Sequence, residues 1–314
     1  MLSRPDDLGV YIHVPFCERI CPYCDFAVVA ARPLTVGTEA DYVETLLREL
    51  ESRRGDFGAR TLATIYLGGG TPSLLTPASV GRLIESVRAA FPGDPEEVTL
   101  EVNPSTLERE RLPGFRSAGI DRVSLGAQSF SDETLRRLGR AHRADEIDRT
   151  LDAVRAAGIA NVSLDLILAA PGQTREGSQR DVEAAIEREP DHLSIYELTL
   201  EPGTPFAAAA AAGKLETVSE DDALAMLQSL ETRLEPAGYH RYEISSHARP
   251  GREAIHNRRY WERRPVLGLG MGAVSSEPIS SAHPHGARRL NPRNLADYAA
   301  VVCGDAQPEL DILG

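Results

Sequence analysis

Six short apolar segments, separated by helix-like stretches, constrain the fold of this chain more than any other feature. They are 9–14 (GVYIHV), 62–70 (LATIYLGGG), 97–104 (EVTLEVNP), 121–130 (DRVSLGAQSF), 161–168 (NVSLDLIL) and 192–200 (HLSIYELTL). Between them, 39–54, 77–91, 107–119, 144–158 and 177–189 carry apolar residues at helical spacing. Pro113 is expected to break the third of these, and Gly158 ends the fourth. Such alternation predicts a parallel sheet, because parallel neighbours need a long crossover, usually a helix. The apolar faces are partly continuous, as expected when helices cover the strands. Most runs end in polar or glycine-rich residues: GGGT, EVNP, GAQSF and DLI. In a βα barrel these ends share one rim, where such folds keep their sites. The expectation is an α/β fold, a partial (β/α)6 barrel over residues 1–238. From residue 215 the pattern changes. A helix over 219–238 and a strand over 239–245 (YHRYEIS) precede Gly-, Pro- and Arg-rich segments with little periodicity. Residues 239–314 are read as a C-terminal α+β extension.

Three of the four cysteines, Cys17, Cys21 and Cys24, fall within eight positions just after the first expected strand; Cys303 stands alone. What they do depends on the compartment. The start, MLSRPDDLGVYIHV, has no long apolar stretch of the secretory kind. The longest bland apolar run, 207–212, is far too short to cross a bilayer. A cytoplasmic location follows as the expectation, with thiols reduced, so the cluster should bind metal or do redox chemistry rather than form disulfides. The net charge of −13 argues against a broad phosphate-binding face and hence against nucleic acid as a partner. A C-x3-C-x2-C run lets three thiolates converge on one centre. A structural zinc needs a fourth ligand, which His13 or Asp25 can supply. An iron–sulfur cluster with three cysteine ligands leaves one iron open, able to bind a small molecule and pass it an electron. Inert buried thiols fit poorly with three cysteines in eight residues beside Pro15 and Pro22.

The segments YIHVPFC, CPYCDF, GGGTPS, EVNPSTL, GAQSF, LGRAH, DLI and PGQT occur in that order. The cysteine loop after the first strand resembles that of the radical S-adenosylmethionine (SAM) superfamily. The whole set resembles the oxygen-independent coproporphyrinogen III oxidase group, most closely its haem chaperone branch, over roughly residues 9 to 300. The resemblance implies a radical SAM barrel with a [4Fe–4S] cluster on Cys17, Cys21 and Cys24. The open iron then binds the amino and carboxylate groups of SAM, and the reduced cluster cleaves it to a 5′-deoxyadenosyl radical. Gly69 and Gly70, after Gly68, let backbone approach a ligand, and Thr71 adds a hydroxyl; the resemblance places the methionine part of SAM there. Glu101 can accept from ribose hydroxyls or pair with the SAM amino group. Gln128, Arg140 and Asp165 match further SAM positions, with Arg140 suited to the SAM carboxylate and Asp165 costly in an apolar strand unless paired. Tyr11 and Tyr23 match aromatic positions near the cluster and SAM, or are simple core residues.

Within the group, the oxidases resemble C-x3-C-x2-C-x-C. Here Phe26 stands where their further cysteine falls, as in the haem chaperones. HNRRYW, residues 256–261, resembles the H-N-x-x-Y-W signature that the chaperone branch links to haem. His256 can ligate iron, with Tyr260 and Trp261 offering apolar faces to the macrocycle; alternatively His256 caps a loop and the two aromatics fill the open side of the barrel. Val274 replaces the histidine of the usual GAHS, and relatives usually carry a further helical C-terminal domain. Two functions stay open. One is a haem chaperone that hands haem to acceptor proteins such as membrane-associated respiratory enzymes. The other is a coproporphyrinogen III oxidase that uses the radical for oxidative decarboxylation of propionates.

Overall fold

The computed structural model describes residues 7–279 and 283–313. Its six expected strands are β1 (Asp7–Val14), β2 (Thr61–Gly69), β3 (Glu97–Val102), β4 (Arg122–Gln128), β5 (Asn161–Leu168) and β6 (His192–Glu197). They pair in sequence order, each parallel to the next. The crossovers are α1 (Val36–Arg53), α2 (Pro77–Ala90), α3 (Thr106–Ser117), the short α4 (Asp132–Arg137) with α5 (Ala144–Ala156), and α6 (Arg175–Glu187). Thr35, Thr76, Ser105, Ser131 and Thr174 cap the first, second, third, fourth and last of these through side-chain oxygens. Pro113 does not break α3. Leu112 and Phe115 on either side of it are fully buried, and that packing carries the helix through the lost hydrogen bond.

The strands mostly alternate, with a continuous apolar stretch at the end of β5, where Leu166, Ile167 and Leu168 are all buried. Ile65, Leu67, Val98, Leu100, Val123, Leu125, Leu164 and Leu193 face the helices and are fully buried. The opposite face holds Tyr66, Thr99 and Arg122 in one register row and Glu101, Ser124, Ser163 and His192 in the next. Residues from β2 to β6 line a single cavity, so the sheet curves around this polar face as a partial barrel.

Beyond residue 238 the chain adds to both edges of the same sheet, after α7 (Pro205–Ala211) and α8 (Glu220–Leu234). The expected strand over 239–245 is instead two short ones, β7 (His240–Arg241) and β8 (Ser246–Ala248). β8 runs antiparallel to β6, and the turn into it begins at Tyr242 because the Tyr242 hydroxyl bonds His192 inside the barrel at 2.8 Å. Next comes α9 (Ile255–Trp261), the HNRRYW segment. β9 (Val266–Leu269) then lies parallel to β1, followed by the antiparallel β10 (Val274–Glu277), β11 (Ala287–Leu290) and β12 (Glu309–Ile312). Helix α10 (Leu295–Cys303) packs on α1, where buried Tyr298 bonds Glu49 at 2.7 Å. Among the described residues the result is one sheet of twelve strands, in the order β12-β11-β10-β9-β1-β2-β3-β4-β5-β6-β8-β7.

Candidate functional site

The C-terminal ends of β2 to β6, with the loop that follows β1, surround a cavity of about 550 Å3. Its upper wall is the cysteine loop, tied down at both ends. Val29 N–H donates to Pro15 O and Ala31 N–H to Cys17 O, both at 2.8 Å, and the buried His13 Nε2 meets Ala27 O at 2.8 Å. The loop's middle is held where Phe206 N–H donates to Pro22 O and Tyr23 packs on the Phe206 ring. All three thiols line the cavity and are unbridged.

A ring of polar contacts joins two of them. Thr71 Oγ1 donates to Cys17 Sγ at 3.7 Å and accepts from Asn103 Nδ2 at 2.9 Å. Arg140 donates to Asn103 Oδ1, and to Cys21 Sγ at 3.7 Å. Burial pushes the Cys17 thiol up to about 11 and raises Cys24 as well, and the neighbouring thiols add to both. Metal uptake here must therefore displace protons.

Among the described residues, no three Cys, His, Asp or Glu side chains stand as a ready-made metal shell. The donor chemistry still separates the sequence alternatives. His13, a possible fourth zinc ligand, has both ring nitrogens occupied, by Tyr11 Oη at 3.0 Å and Ala27 O. Asp25 is half exposed on its side chain and pairs with Arg293. With His13 engaged and Asp25 paired to Arg293, the three thiols suit an iron–sulfur cluster with an open iron better than a closed tetrahedral zinc.

Beneath the loop lies the cavity floor. Gly69 has φ +111°, and a Cβ there would stand 2.5 Å from the His13 ring. Its N–H donates to Glu101 Oε2 at 3.0 Å, while the Tyr66 hydroxyl donates to Oε1 at 2.8 Å. The glycines thus serve close packing inside the protein as well as ligand approach: a Cβ on Gly70 would meet the Pro15 and Phe16 carbonyls. Burial pushes Glu101 up to about 7, and Asp165 across the floor adds to the shift. Asp165 is raised by burial too and accepts from Ser124 Oγ at 2.9 Å; it does not pair with Arg140. Gln128 ends β4 with φ +67° and lines the cavity. The next two residues are fixed by Asp181, which accepts from Ser129 Oγ and Phe130 N–H, both at 2.7 Å.

Most of the sequence-derived candidates therefore meet in one place: Cys17, Cys21, Cys24, Tyr23, Gly69, Gly70, Thr71, Glu101, Gln128, Arg140 and Asp165 all line the cavity. Four do not. Tyr11 lies below it, its ring against Tyr66 and His256, so it borders neither the cysteines nor the cavity. His256 is 1% exposed beneath the floor, whereas Tyr260 and Trp261 turn partly outward on the far side. Phe26, by contrast, is 69% exposed at the cavity mouth beside Ile20. Sequence reasoning missed Asn103, Tyr66 and Ser124. Period-two counting back from Glu101 to Thr99, and across to Tyr66, was the available signal.

The radical SAM superfamily profile matches residues 11–185. The heme chaperone HemW of Escherichia coli is 39% identical over 268 residues, covering 85% of this chain and 69% of that protein. This chain belongs to the HemW family of the radical SAM superfamily. HemW of Bacillus subtilis is 33% identical, covering 84% of this chain and 70% of the relative. A mouse protein, "Radical S-adenosyl methionine domain-containing protein 1, mitochondrial", is 38% identical over 84% of this chain and 60% of its own length. Among solved structures, the coproporphyrinogen III oxidase HemN of E. coli, described as a radical SAM enzyme, superposes with TM-score 0.82. It is 25% identical, and the match covers all of this chain and 74% of that one. Membership implies a SAM-bound [4Fe–4S] cluster, and the three loop thiols line the cavity. Among the described residues, no helix is long and apolar enough to cross a membrane.

Proposed function

We propose that the chain is a cytoplasmic haem chaperone that binds haem beside a SAM-liganded cluster and delivers it to acceptor proteins. The carrying observation is the similarity to HemW proteins, at 33–39% identity over about 85% of the chain. Phe26 supports it: an apolar, exposed ring stands at the mouth where the oxidase-like pattern has a cysteine, suited to one face of a planar macrocycle. Cys17, Cys21 and Cys24 hold the cluster, which supplies one-electron chemistry to the bound SAM. Arg140, already fixed by Asn103, offers its remaining donors to a carboxylate. Glu101 and Asp165 present carboxyl oxygens to ribose hydroxyls.

Oxidative decarboxylation of coproporphyrinogen III is the second reading, supported by one observation: Gly69, Gly70, Thr71, Glu101, Gln128, Arg140 and Asp165 all line the cavity. The deciding experiment is an anaerobic haem titration of the cluster-reconstituted protein, followed by its absorption band, with coproporphyrinogen turnover measured on the same sample. Saturable haem binding without turnover is expected. Turnover without haem binding would make the chain an oxidase.

A further inference from the structure

His256 sits at the closed end of the barrel, and everything around it is already engaged. Its Nδ1 meets Thr64 Oγ1 at 2.8 Å and its Nε2 meets Tyr260 Oη at 3.2 Å. Helix α9, which carries it, is held by carboxylates from two strands. Glu97 accepts from Ile255 N–H at 2.9 Å and His256 N–H at 3.0 Å. Asp7 accepts from Arg259 at 2.8 Å and from Arg264 at 2.9 Å. An iron ligand needs a free nitrogen lone pair and room for a macrocycle on one side of the ring. A residue 1% exposed, with both nitrogens bonded and aromatic rings around it, offers neither. Exposing it means lifting α9 off the barrel, at the cost of two buried carboxylate anchors.

The same ring has a clear line to the cavity. It packs on Tyr66 with centroids 5.1 Å apart and an interplanar angle of 33°, and Tyr11 lies at 6.4 Å on the same group. Tyr66 in turn donates to Glu101 at 2.8 Å. Tyr11, Tyr66 and His256 pack on one another as a triangle of rings, and from it the Tyr66 hydroxyl reaches Glu101 on the cavity floor. We propose that His256 is a positioning residue of the SAM pocket: it closes the lower end of the barrel and clamps Tyr66 so that Glu101 is held for SAM, and it does not ligate haem iron. This rests on Glu101 being a SAM contact.

The test is SAM affinity, by anaerobic equilibrium dialysis of the reconstituted protein, together with the haem absorption spectrum of the same variants. Glu101→Gln is expected to weaken SAM about 10-fold or more, as loss of a charged hydrogen-bond partner does. Tyr66→Phe and His256→Phe are each expected to weaken it roughly 5-fold, and the double variant no further, because both act through one contact. Thr64→Val removes only the Nδ1 partner and is expected to weaken SAM about 2-fold; it carries the test if His256→Phe fails to fold. The haem spectrum of His256→Phe should keep the wild-type axial signature. Multiplying losses in the double variant, or unchanged SAM affinity in both Thr64→Val and His256→Phe, overturns the clamp. Loss of the haem ligand band in His256→Phe overturns the exclusion of ligation. If Glu101→Gln leaves SAM affinity untouched, the pocket reading itself is wrong, and the clamp falls with it.

Discussion

Glu101 ought to make the stability of the protein and its affinity for SAM respond to pH in opposite directions. Burial holds its carboxyl at about 7 in the folded chain, against an ordinary value of 4.5. Folding therefore favours the protonated form. Its favourable contribution is complete below pH 4.5 and is lost as pH rises through about 7. At 1.36 kcal/mol per unit, the difference is about 3 kcal/mol in all. By pH 5.5 about one unit of it has gone, because the unfolded chain is already ionised, which leaves about 2 kcal/mol to be lost by pH 8.5. Glu101→Gln keeps the shape and cannot titrate. Denaturant unfolding of the reduced, cluster-free protein at pH 5.5 and 8.5 should show wild type losing about 2 kcal/mol relative to the variant. Binding has the opposite sign. A cationic cofactor prefers the carboxylate, so SAM affinity should rise as pH passes through about 7 and should do so less in the variant. Parallel stability profiles for the two proteins would refute the buried-carboxyl reasoning, and so would SAM affinity that falls with rising pH.

Each of Cys17→Ser, Cys21→Ser and Cys24→Ser should leave a protein that folds but retains far less iron and sulfide after reconstitution; unchanged metal content in any one of them removes that thiol from the cluster. Asp181→Ala strands three buried donors on Ser129, Phe130 and Gln173 and should cost about 2–4 kcal/mol, read by denaturant unfolding, with weakened SAM binding because Gln128 loses its support. Phe26→Ala should weaken haem roughly 5- to 10-fold in the absorption titration, the value of one aromatic face, and leave the melting temperature within a degree or two.

The strand–helix alternation and the cysteine loop were legible because both are local: period, spacing and glycine-rich ends are written within a few residues. The cavity followed, since a parallel sheet gathers those ends by construction. What stayed hidden depends on partners far along the chain. β9 is four apolar residues, Val266–Leu269, and nothing in VLGL says that it pairs with a strand some 250 positions earlier. YHRYEIS has strand composition, yet Tyr242 is drawn inward to His192, and the pairing is left to Ser246–Ala248. Tyr11 and His256 could each be read as a ligand contact or as a structural residue, because aromatic and imidazole groups serve either purpose. Only the register row, Tyr11 opposite Tyr66, and the position of α9 show them packing on each other instead.

The polar row inside the barrel carries a consequence for ligand choice. Arg122, 1% exposed, is the cation nearest to three carboxyl groups, Glu97 at 3.9 Å and more distantly Asp165 and Glu101. One guanidinium does not neutralise three carboxylates in an enclosed space, and the raised protonation of Glu101 and Asp165 is how the protein relieves the surplus. A ligand that brings positive charge to this floor relieves it better than a proton does. SAM brings its sulfonium, the positive charge left once its amino group is on the open iron, whereas a neutral or anionic nucleoside would have to face the same carboxylates unpaired. Discrimination for the cationic cofactor over its uncharged thioether product thus follows from the lumen chemistry, and it should narrow below pH 7, where the floor carries its own protons.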